Sequence, residues 1–279
     1  MLGRFQKAIS KQIAHINKRK FNQNLNILCE KKYDLTVDLY LVSMSGNLFF
    51  QDQLYSLLSF ISNIGKPLKW TIYSDGSYTK EQLDKFMTFD FVEVIYRESS
   101  KSILPNDLIK KHPFLKRLDY YANHELKGTT IFCDSDILFY DGFNNYVKTL
   151  KSKNWFLADE NNIYFDYEYL QLNKNCMYGV NAGFLVINSQ IDWNKALLYV
   201  KNRIDKKLTI GHWTEQTAIH EVITNDITFQ PLDPRKFILH GKDSFLISSM
   251  PIGNSALRHF VGPIRHKMWQ YSWKKVLGI

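Results

Sequence analysis

The residues best suited to chemistry are two aspartates, Asp134 and Asp136, separated by one serine in TTIFCDSDILFYDG at 129–142. The apolar run before them, Ile131 to Cys133, is short and lies between glycines, which predicts a buried strand. Residues i and i+2 of a strand share a face, so the two carboxylates should lie side by side at the strand end, where open α/β sheets bind ligands. Converging carboxylates repel each other unless a cation lies between them, and hard divalent ions prefer oxygen ligands. The stretch therefore predicts a metal site that grips a diphosphate, or else a strand-end turn in which aspartate caps its own backbone.

Charge and length narrow the class of protein. The 279 residues suit one α/β domain with an extension, or at most two domains. The net charge of +9 is concentrated at the two ends of the chain, which indicates an anionic partner. The middle of the chain mixes both signs, and no helix-turn-helix, zinc-finger or RNP signature is present, so we expect no nucleic-acid partner.

Cysteine usage and hydropathy favour a cytoplasmic protein. The three cysteines, Cys29, Cys133 and Cys176, are odd in number and lack metal-site spacing, so we expect buried, reduced thiols. No run approaches the ~18 apolar residues of a membrane span, and the basic N-terminus lacks a signal-peptide core.

The first twenty residues form a separate pattern. Phe5, Ile9, Ile13 and Ile16 recur at helical spacing with basic residues between them, which predicts a basic amphipathic helix. Such a helix either lies on an anionic membrane surface or docks on the body of the protein.

Strands then alternate with helices, which predicts a largely parallel sheet with right-handed crossovers. The predicted strands lie at 37–43, 68–73, 91–96, 131–133, 155–158 and 183–187, with short ones at 227–230 and 236–239. Five helices are predicted between these strands. The first contains Leu54 to Ile61, the second begins with a capping box of Thr79 and Gln82, and the third runs from Pro113 to a stop at Gly128. The fourth is capped by Asp192 and the fifth by Thr214. The segment 160–178 is predicted to be a substrate-binding loop, and 240–279 an aromatic, loop-like tail.

Polar residues follow several of these elements. Arg117 lies on the helix that leads directly into the aspartate-bearing strand, so we expect it near the metal site. Asn181 and Gly183 precede an apolar run, where an amide can bond sugar hydroxyls and glycine lets the backbone approach a ligand, although an ordinary turn has the same pattern. Asp159 ends a strand, and Glu215 begins a helix, where acids are stabilised whatever their function.

Several of these segments together resemble one family. IFCDSDILF, FLADE, VNAGFLVIN, WTEQTAIHEVI and RHFVGPIRHKMW occur in the order seen in GT-A-type glycosyltransferases, and most closely in retaining family eight, which includes bacterial surface-glycan galactosyltransferases and glycogenin. The resemblance covers roughly 37–269. It implies a single Rossmann-like GT-A domain at 37–279, with a mostly parallel mixed sheet flanked by helices, after a basic extension at 1–36.

The resemblance also implies a metal and its ligands. Asp134, Asp136 and His259 would hold Mn²⁺, or Mg²⁺, on the diphosphate of a UDP-sugar. Near the C-terminus the family usually has His-x-x-Gly-x-x-Lys-Pro-Trp, and this chain differs from that motif after Gly262. We therefore expect Arg265, or as second choice Lys267, to contact the leaving phosphate. The first-strand loop lacks the aspartate that usually contacts uracil.

The remaining roles are also implied by the resemblance. Gln216 would lie beside the anomeric carbon and support its developing positive charge, with Glu215 and Asp159 as the other catalytic or sugar-binding residues. The predicted donor-binding residues are Ser43, Asp75, Arg117, Asp134, Ser135, Asn181, Gly183, Gly262, Arg265 and Lys267.

The function expected from this pattern is metal-dependent transfer of a hexose from a nucleotide sugar to a glycan or lipid-linked glycan acceptor in bacterial surface polysaccharide synthesis. No carboxylate stands out as a covalent nucleophile. The resemblance implies that the acceptor attacks on the face from which the diphosphate departs, so that the anomeric configuration is retained. The basic, aromatic ends would hold the protein on the inner face of the membrane. Two alternatives stay open: a catalytically inactive glycan-binding or scaffold protein, and an Asp-x-Asp phosphatase, which usually has Thr or Val where this chain has Leu138.

Overall fold

The computed structural model describes residues 2–96, 104–159, 166–172, 179–211, 213–224, 228–239, 254–270 and 273–279. The helices are α1 (Leu2–Gln23), α2 (Leu25–Glu30), α3 (Phe50–Asn63), α4 (Lys80–Phe86), α5 (Asn106–Lys111), α6 (Pro113–Ala122), α7 (Val147–Leu150), α8 (Tyr167–Leu172), α9 (Asn194–Asp205), α10 (Thr214–Thr224) and α11 (Trp273–Val276). Segments of 3-10 helix lie at Asn47–Phe49, Asp141–Asn145 and Gly262–Trp269. The strands are β1 (Thr36–Ser45), β2 (Lys66–Ser74), β3 (Val92–Ile95), β4 (Thr130–Cys133), β5 (Ile137–Phe139), β6 (Asn154–Asp159), β7 (Gly179–Ile187), β8 (Phe229–Pro231), β9 (Phe237–Ile238) and β10 (Leu257–His259).

The predicted mixed, mostly parallel sheet is confirmed. Within the described residues, one sheet has the strand order β3-β2-β1-β4-β7-β6-β8, and a smaller sheet has the order β5-β10-β9. Pairing is parallel for β1 with β2, β2 with β3 and β6 with β8, whereas β6 and β7 are antiparallel.

The chain divides into two compact units. The first comprises Met1–Ile95, Cys133–Thr149 and Asp233–Ile279, and the second comprises Tyr96–Phe132 and Leu150–Leu232. The predicted boundary between an extension at 1–36 and a transferase domain at 37–279 stays a prediction.

The core of the first unit is built around one aromatic residue of α3. The ring of Phe60 lies 5.7 Å from that of Trp70 on β2, 5.0 Å from that of Phe139 on β5 and 6.0 Å from that of Phe143. All four side chains are fully buried, and edge-on aromatic contacts of this kind add to the stabilisation that burial gives. These contacts hold β5 against α3 and β2.

A close approach at Gly142 fixes the smaller sheet. A Cβ atom there would lie 2.4 Å from the backbone oxygen of Ser255, so a side chain would displace the segment that leads into β10. Next to it, the backbone nitrogen of Tyr140 donates to the oxygen of Ala256 over 2.9 Å. The glycine thus lets β10 lie antiparallel beside β5, with His259 opposite Ile137.

The predicted N-terminal helix is confirmed, and one of its faces docks on the first unit. Phe21 is fully buried, and its ring lies 5.1 Å from that of Trp269 and 5.5 Å from that of Tyr55. Asp52 at the start of α3 is buried and accepts hydrogen bonds from the Lys18 ammonium at 3.0 Å and the Trp269 indole at 2.7 Å. The face of α1 that carries Lys18 and Phe21 is therefore packed against the first unit.

The second unit contains an irregular antiparallel pair. In the β6–β7 ladder, Phe156 is opposite Leu185, but Leu157 is opposite Asn181, so extra residues of β7 bulge out of the ladder. The residues of β7 between these two pairs are Ala182, Gly183 and Phe184. Bulges re-aim side chains and are frequent beside active sites.

Several sequence-based predictions about elements were wrong. The strand predicted at 131–133 is confirmed as β4, but the two aspartates do not continue it, because the chain turns after Cys133 and then forms β5 in the other sheet. The helix predicted to run to Gly128 ends at Ala122, where the Asn123 amide donates to the oxygen of Asp119 over 2.9 Å. A helix, α5, was not predicted at all.

The predicted capping box of Thr79 and Gln82 at the start of α4 is confirmed. Two other predicted helix caps and the two predicted loops need correction. Asp192 does not cap α9 through its side chain, since the residue before the helix is Trp193. Thr214 is the first residue of α10, and its hydroxyl bonds elsewhere. The predicted loop 160–178 contains α8, and the tail contains β10, a 3-10 helix and α11; residues 160–165, 173–178 (with Cys176) and 240–253 lie outside the described part.

Among the described helices, none combines the length and apolarity that crossing a bilayer requires. Cys29 and Cys133 are buried free thiols. Burial raises the pKa of the Cys29 thiol to about 11 and that of Cys133 well above its usual range, so both thiols stay protonated at neutral pH.

Candidate functional site

The centre of the candidate site is the turn between β4 and β5. Asp134 follows the last residue of β4, and Asp136 precedes the first residue of β5. Asp136 is 1% exposed, whereas Asp134 is partly open to solvent. One ligand atom from each aspartate and one from His259 all lie within 4.8 Å of one another. The two carboxylates therefore converge because the chain turns, and not because they alternate along one strand.

His259 reaches this turn from a distant part of the sequence. It is the last residue of β10, and its register opposite Ile137 places its ring next to Asp136. The backbone nitrogen of Phe260 donates to the oxygen of Asp136 over 2.9 Å and fixes this arrangement. The Nε2 atom of His259 lies 3.0 Å from Oδ1 of Asp136 and 3.5 Å from Oδ2 of Asp134.

Charge decides the protonation of this histidine. Burial alone would lower the pKa of His259, but the Asp136 and Asp134 carboxylates outweigh burial and raise it from 6.5 to about 9. Without a metal, the imidazole is therefore charged at neutral pH and neutralises part of the aspartate charge. A cation bound by the same imidazole must first displace that proton.

A second cation completes the surroundings of Asp136. Arg265, on the 3-10 helix Gly262–Trp269, contacts Oδ2 of Asp136 through Nε at 2.8 Å and Nη2 at 2.7 Å. Its guanidinium lies over the ring of Phe49, 4.1 Å from the centroid. Asp136 thus binds an imidazole through one oxygen and a guanidinium through the other.

The chemistry of these residues fits a divalent cation. Two carboxylates and one imidazole suit Mn²⁺ or Mg²⁺, and the nitrogen ligand favours Mn²⁺. The Nη1 atom of Arg265 is buried without a hydrogen-bond partner among the described residues, so it can take a ligand oxygen. The cluster fits a metal together with an anion that the metal shares with Arg265.

Other predicted residues of the first unit have varied surroundings. Ser43 is fully buried, and its hydroxyl accepts a hydrogen bond from the Trp70 indole over 3.0 Å. Asp75 is exposed after β2, and its carboxylate lies so near Gly46 that a Cβ there would come within 2.2 Å of it. Their donor-binding roles stay predictions.

The late segment supplies the remaining predicted residues of the first unit. Ser135 and Lys267 are buried, and Gly262 has a φ of 36°, in the left-handed region that favours glycine. This backbone conformation starts the 3-10 helix that carries Arg265 toward Asp136. Donor binding by these three residues also stays a prediction.

In the second unit, the predicted Arg117 and Glu215 form a partly buried ion pair. The Nη2 atom of Arg117 on α6 lies 2.8 Å from Oε2 of Glu215, and its Nε atom bonds Oε1. Glu215 lies at the start of α10, followed directly by the half-buried Gln216. A bidentate pair of this kind fixes both side chains and the direction of the helix end that carries Gln216.

Gly183 lies within the bulge of β7, and Asn181, paired with Leu157, borders it. The Asn181 side-chain oxygen accepts a hydrogen bond from the backbone nitrogen of Gly183 over 3.0 Å, which holds the bulge closed. Asp159, at the end of β6, is buried opposite Gly179. The predicted turn before the apolar run is therefore a bulge inside the strand.

Sequence reasoning missed the network that anchors α10. One oxygen of the buried Asp166 accepts from the Thr214 hydroxyl at 3.1 Å, and the other contacts Nε of Arg203 at 3.2 Å and accepts from Tyr199 at 3.1 Å. Burial raises the pKa of the Asp166 carboxyl, although Arg203 opposes the shift. A signal was present, because Arg203 falls beside the apolar stripe of α9, where a buried charge requires a partner.

Comparisons with known proteins address the fold. No protein-family model matches the chain, and no curated protein matches it in sequence. The solved structure of the galactosyltransferase LgtC in complex with donor and acceptor sugar analogues matches with a TM-score of 0.58 at 12% identity, covering 86% of this chain and 95% of that one. An active-site mutant of LgtC, in which a glutamine is replaced by glutamate, matches with a TM-score of 0.56.

Two further solved structures match as well. The bifunctional glycosyltransferase WbbM has a TM-score of 0.58 at 12% identity, covering 86% of this chain and 49% of that one. The glycosyltransferase GlyE from Streptococcus pneumoniae has a TM-score of 0.54 at 11% identity, covering 87% of this chain and 62% of that one. The predicted GT-A glycosyltransferase fold is thereby confirmed.

The protonation of His259 predicts a pH dependence of stability. Its folded pKa, about 9, lies above the ordinary 6.5, so the stabilisation is complete below pH 6.5 and is lost as the pH rises through 9. We expect the unfolding free energy of chelator-treated protein, measured in urea, to fall across this window, and His259→Gln to remove that component. The exposed His15→Gln should retain it. Parallel curves for the wild type and His259→Gln would contradict the assignment.

The Asp166 network predicts a large cost for removing its cation. Arg203→Met leaves a buried carboxylate without its ion pair, so we expect the unfolding free energy to fall by about 3–5 kcal/mol. Lys201→Met removes the exposed pair with Asp205 on the same helix and should cost at most about 1 kcal/mol. Urea titrations of both variants test this; equal losses would show that the network does not anchor α10.

Proposed function

We propose that this protein transfers a hexose from a nucleotide sugar to an acceptor sugar, with a divalent metal at Asp134, Asp136 and His259. The observation that carries the proposal is the convergence of these three ligand atoms within 4.8 Å, in a fold shared with glycosyltransferases. The donor is a UDP-hexose and the metal is Mn²⁺, with Mg²⁺ as the alternative.

The first unit would hold the diphosphate. When bound, the metal acts as a Lewis acid that neutralises charge on the departing β-phosphate. Arg265 donates a hydrogen bond to Asp136, and its Nη1 atom has no partner among the described residues. We expect Nη1 to donate to a phosphate oxygen, so that Arg265 would contact both a metal ligand and the leaving group. Lys267, Gly262, Ser135, Asp75 and Ser43 are the other proposed donor contacts of this unit.

The second unit would hold the sugar. Sugar hydroxyls would contact Gly183 in the bulge of β7, Asn181 at its border and Asp159 at the end of β6, which offer amide and carboxylate oxygens. Gln216 would place its amide oxygen beside the anomeric carbon, where positive charge develops as the diphosphate leaves. The Arg117–Glu215 pair would keep the start of α10, and so Gln216, in place. The incoming hydroxyl would attack on the face from which the diphosphate departs, with retention.

The acceptor would be a glycan or lipid-linked glycan of bacterial surface polysaccharide synthesis. A cytoplasmic protein acting on such an acceptor would work peripherally, at the inner face of the membrane. The solved relative that binds donor and acceptor sugar analogues is a galactosyltransferase, which supports a hexose donor.

A nucleotide-sugar screen tests this function. We expect UDP-hexoses with Mn²⁺ to stabilise the protein by about 2.7 kcal/mol at a hundredfold excess over Kd, because binding to the folded state alone shifts unfolding by mass action. Differential scanning fluorimetry with UDP-, GDP- and CMP-sugars, each with Mn²⁺ or chelator, measures the shift. Donor turnover should fall roughly 100-fold or more in Asp136→Asn.

The same screen includes a control variant and distinguishes the two alternative functions. Asp192→Asn changes an exposed aspartate that has no role in the proposed site and should leave stabilisation and turnover unchanged. A phosphatase would show no preference for intact nucleotide sugars, and a scaffold protein would bind none of them. Full metal-dependent turnover by Asp136→Asn would overturn the metal assignment.

A further inference from the structure

The first helix carries an apolar stripe that the described part of the chain leaves exposed. Phe5, Ile9, Ile13 and Ile16 are 66%, 37%, 38% and 47% exposed, respectively. At 3.6 residues per turn they fall within an arc of about 80° along most of α1. Single exposed apolar residues are ordinary, but a continuous stripe on one helix face marks an interaction surface.

Contacts on another face of α1 keep this stripe turned outward. The Ser10 hydroxyl lies 3.0 Å from Nε2 of His266, and the Asn17 amide donates to the oxygen of Trp269 over 2.7 Å. Ala14 and Phe21 on the same face are buried. With this face tied to the 3-10 helix Gly262–Trp269, α1 cannot roll to bury its apolar stripe against the first unit.

The charge of α1 is of one sign. The first 29 residues contain six lysines and arginines and no acid, since the first acid is Glu30. Lys18 is paired with Asp52. The described basic side chains that stay exposed are Lys7, Lys11, Arg19 and Lys20.

We propose that α1 is a membrane-docking helix whose apolar stripe enters the headgroup region of a bilayer while its exposed cations bind anionic phospholipid. A helix with a bulky apolar stripe on one face, most of its basic residues on its other faces and no acid in the sequence before Glu30 has the composition of helices that lie in the interface. A second copy of the same helix would bring like charges together, which disfavours self-association through this face. Anionic lipid satisfies both the charge and the stripe.

None of the residues of this stripe belongs to the proposed metal and sugar sites. Docking through α1 would hold the protein beside a lipid-linked acceptor without altering its chemistry. The docking proposal therefore goes beyond the proposed function, and each can fail while the other stands.

Vesicle sedimentation of the full-length protein tests the docking proposal. We expect binding to phosphatidylcholine vesicles that contain phosphatidylglycerol, and roughly fivefold weaker partition for each exposed cation removed, with Lys7, Lys11, Arg19 and Lys20 each changed to Gln. The same four-charge change at the exposed Lys127, Lys148, Lys195 and Lys206 is the control and should have a much smaller effect. Equal losses for both sets would reduce the binding to net charge and overturn the proposal.

The apolar stripe is tested with a matched pair of variants. Phe5→Gln/Ile16→Gln should lose at least ~10-fold in vesicle binding, whereas Met87→Gln/Leu198→Gln, at sites 68% and 49% exposed, should lose nothing. Circular dichroism confirms that α1 stays helical, and donor turnover in solution should be unchanged in both variants. Unaltered vesicle binding by Phe5→Gln/Ile16→Gln, or a dimer that this variant abolishes without any lipid binding, would contradict the proposal.

Discussion

A single buried carboxylate constrains the candidate metal site. Asp136 is almost fully removed from solvent, and an unpaired charge in that position would be strongly destabilising. The protein satisfies it with an imidazole on one oxygen and a guanidinium on the other. The cations come from β10 and from the 3-10 helix that follows it, so the end of the chain must fold back onto the turn between β4 and β5. The close approach of the backbone at Gly142 and the antiparallel pairing of β5 with β10 hold the folded-back segment in place.

The same pairing explains how the site can be both stable and ready for a ligand. Without a metal, the raised pKa of His259 lets a proton supply the positive charge that the carboxylates need. A divalent cation can replace that proton because it meets the same two oxygens and the same nitrogen. Arg265 is then the side chain able to exchange part of its contact with Asp136 for a phosphate. The positions of Asp136, His259 and Arg265 around the turn between β4 and β5 therefore determine which groups balance the aspartate charge.

The sequence predicted the fold class and the two aspartates of the candidate metal site, because strand and helix periodicity and the Asp-x-Asp spacing are local signals. His259 was assigned only through resemblance, since 123 residues separate it from Asp136 and only the β5–β10 ladder brings them together. The reason given for the convergence of the aspartates was wrong, because periodicity cannot show a turn between two apolar runs. The Asp166–Arg203 network was missed, since its members are distant in sequence and only an arginine beside an apolar stripe hinted at it. For α1, the pattern left docking and membrane binding open, and the structure shows that a different face from the apolar stripe docks.

The most direct test of the metal centre is pulsed electron paramagnetic resonance of the Mn²⁺-loaded protein. If Asp134, Asp136 and His259 hold the ion, the electron spin echo will show modulation from one directly bound imidazole nitrogen. That modulation will disappear in His259→Gln and stay in His15→Gln. Persistent nitrogen modulation in His259→Gln, or none in the wild type, would contradict the account.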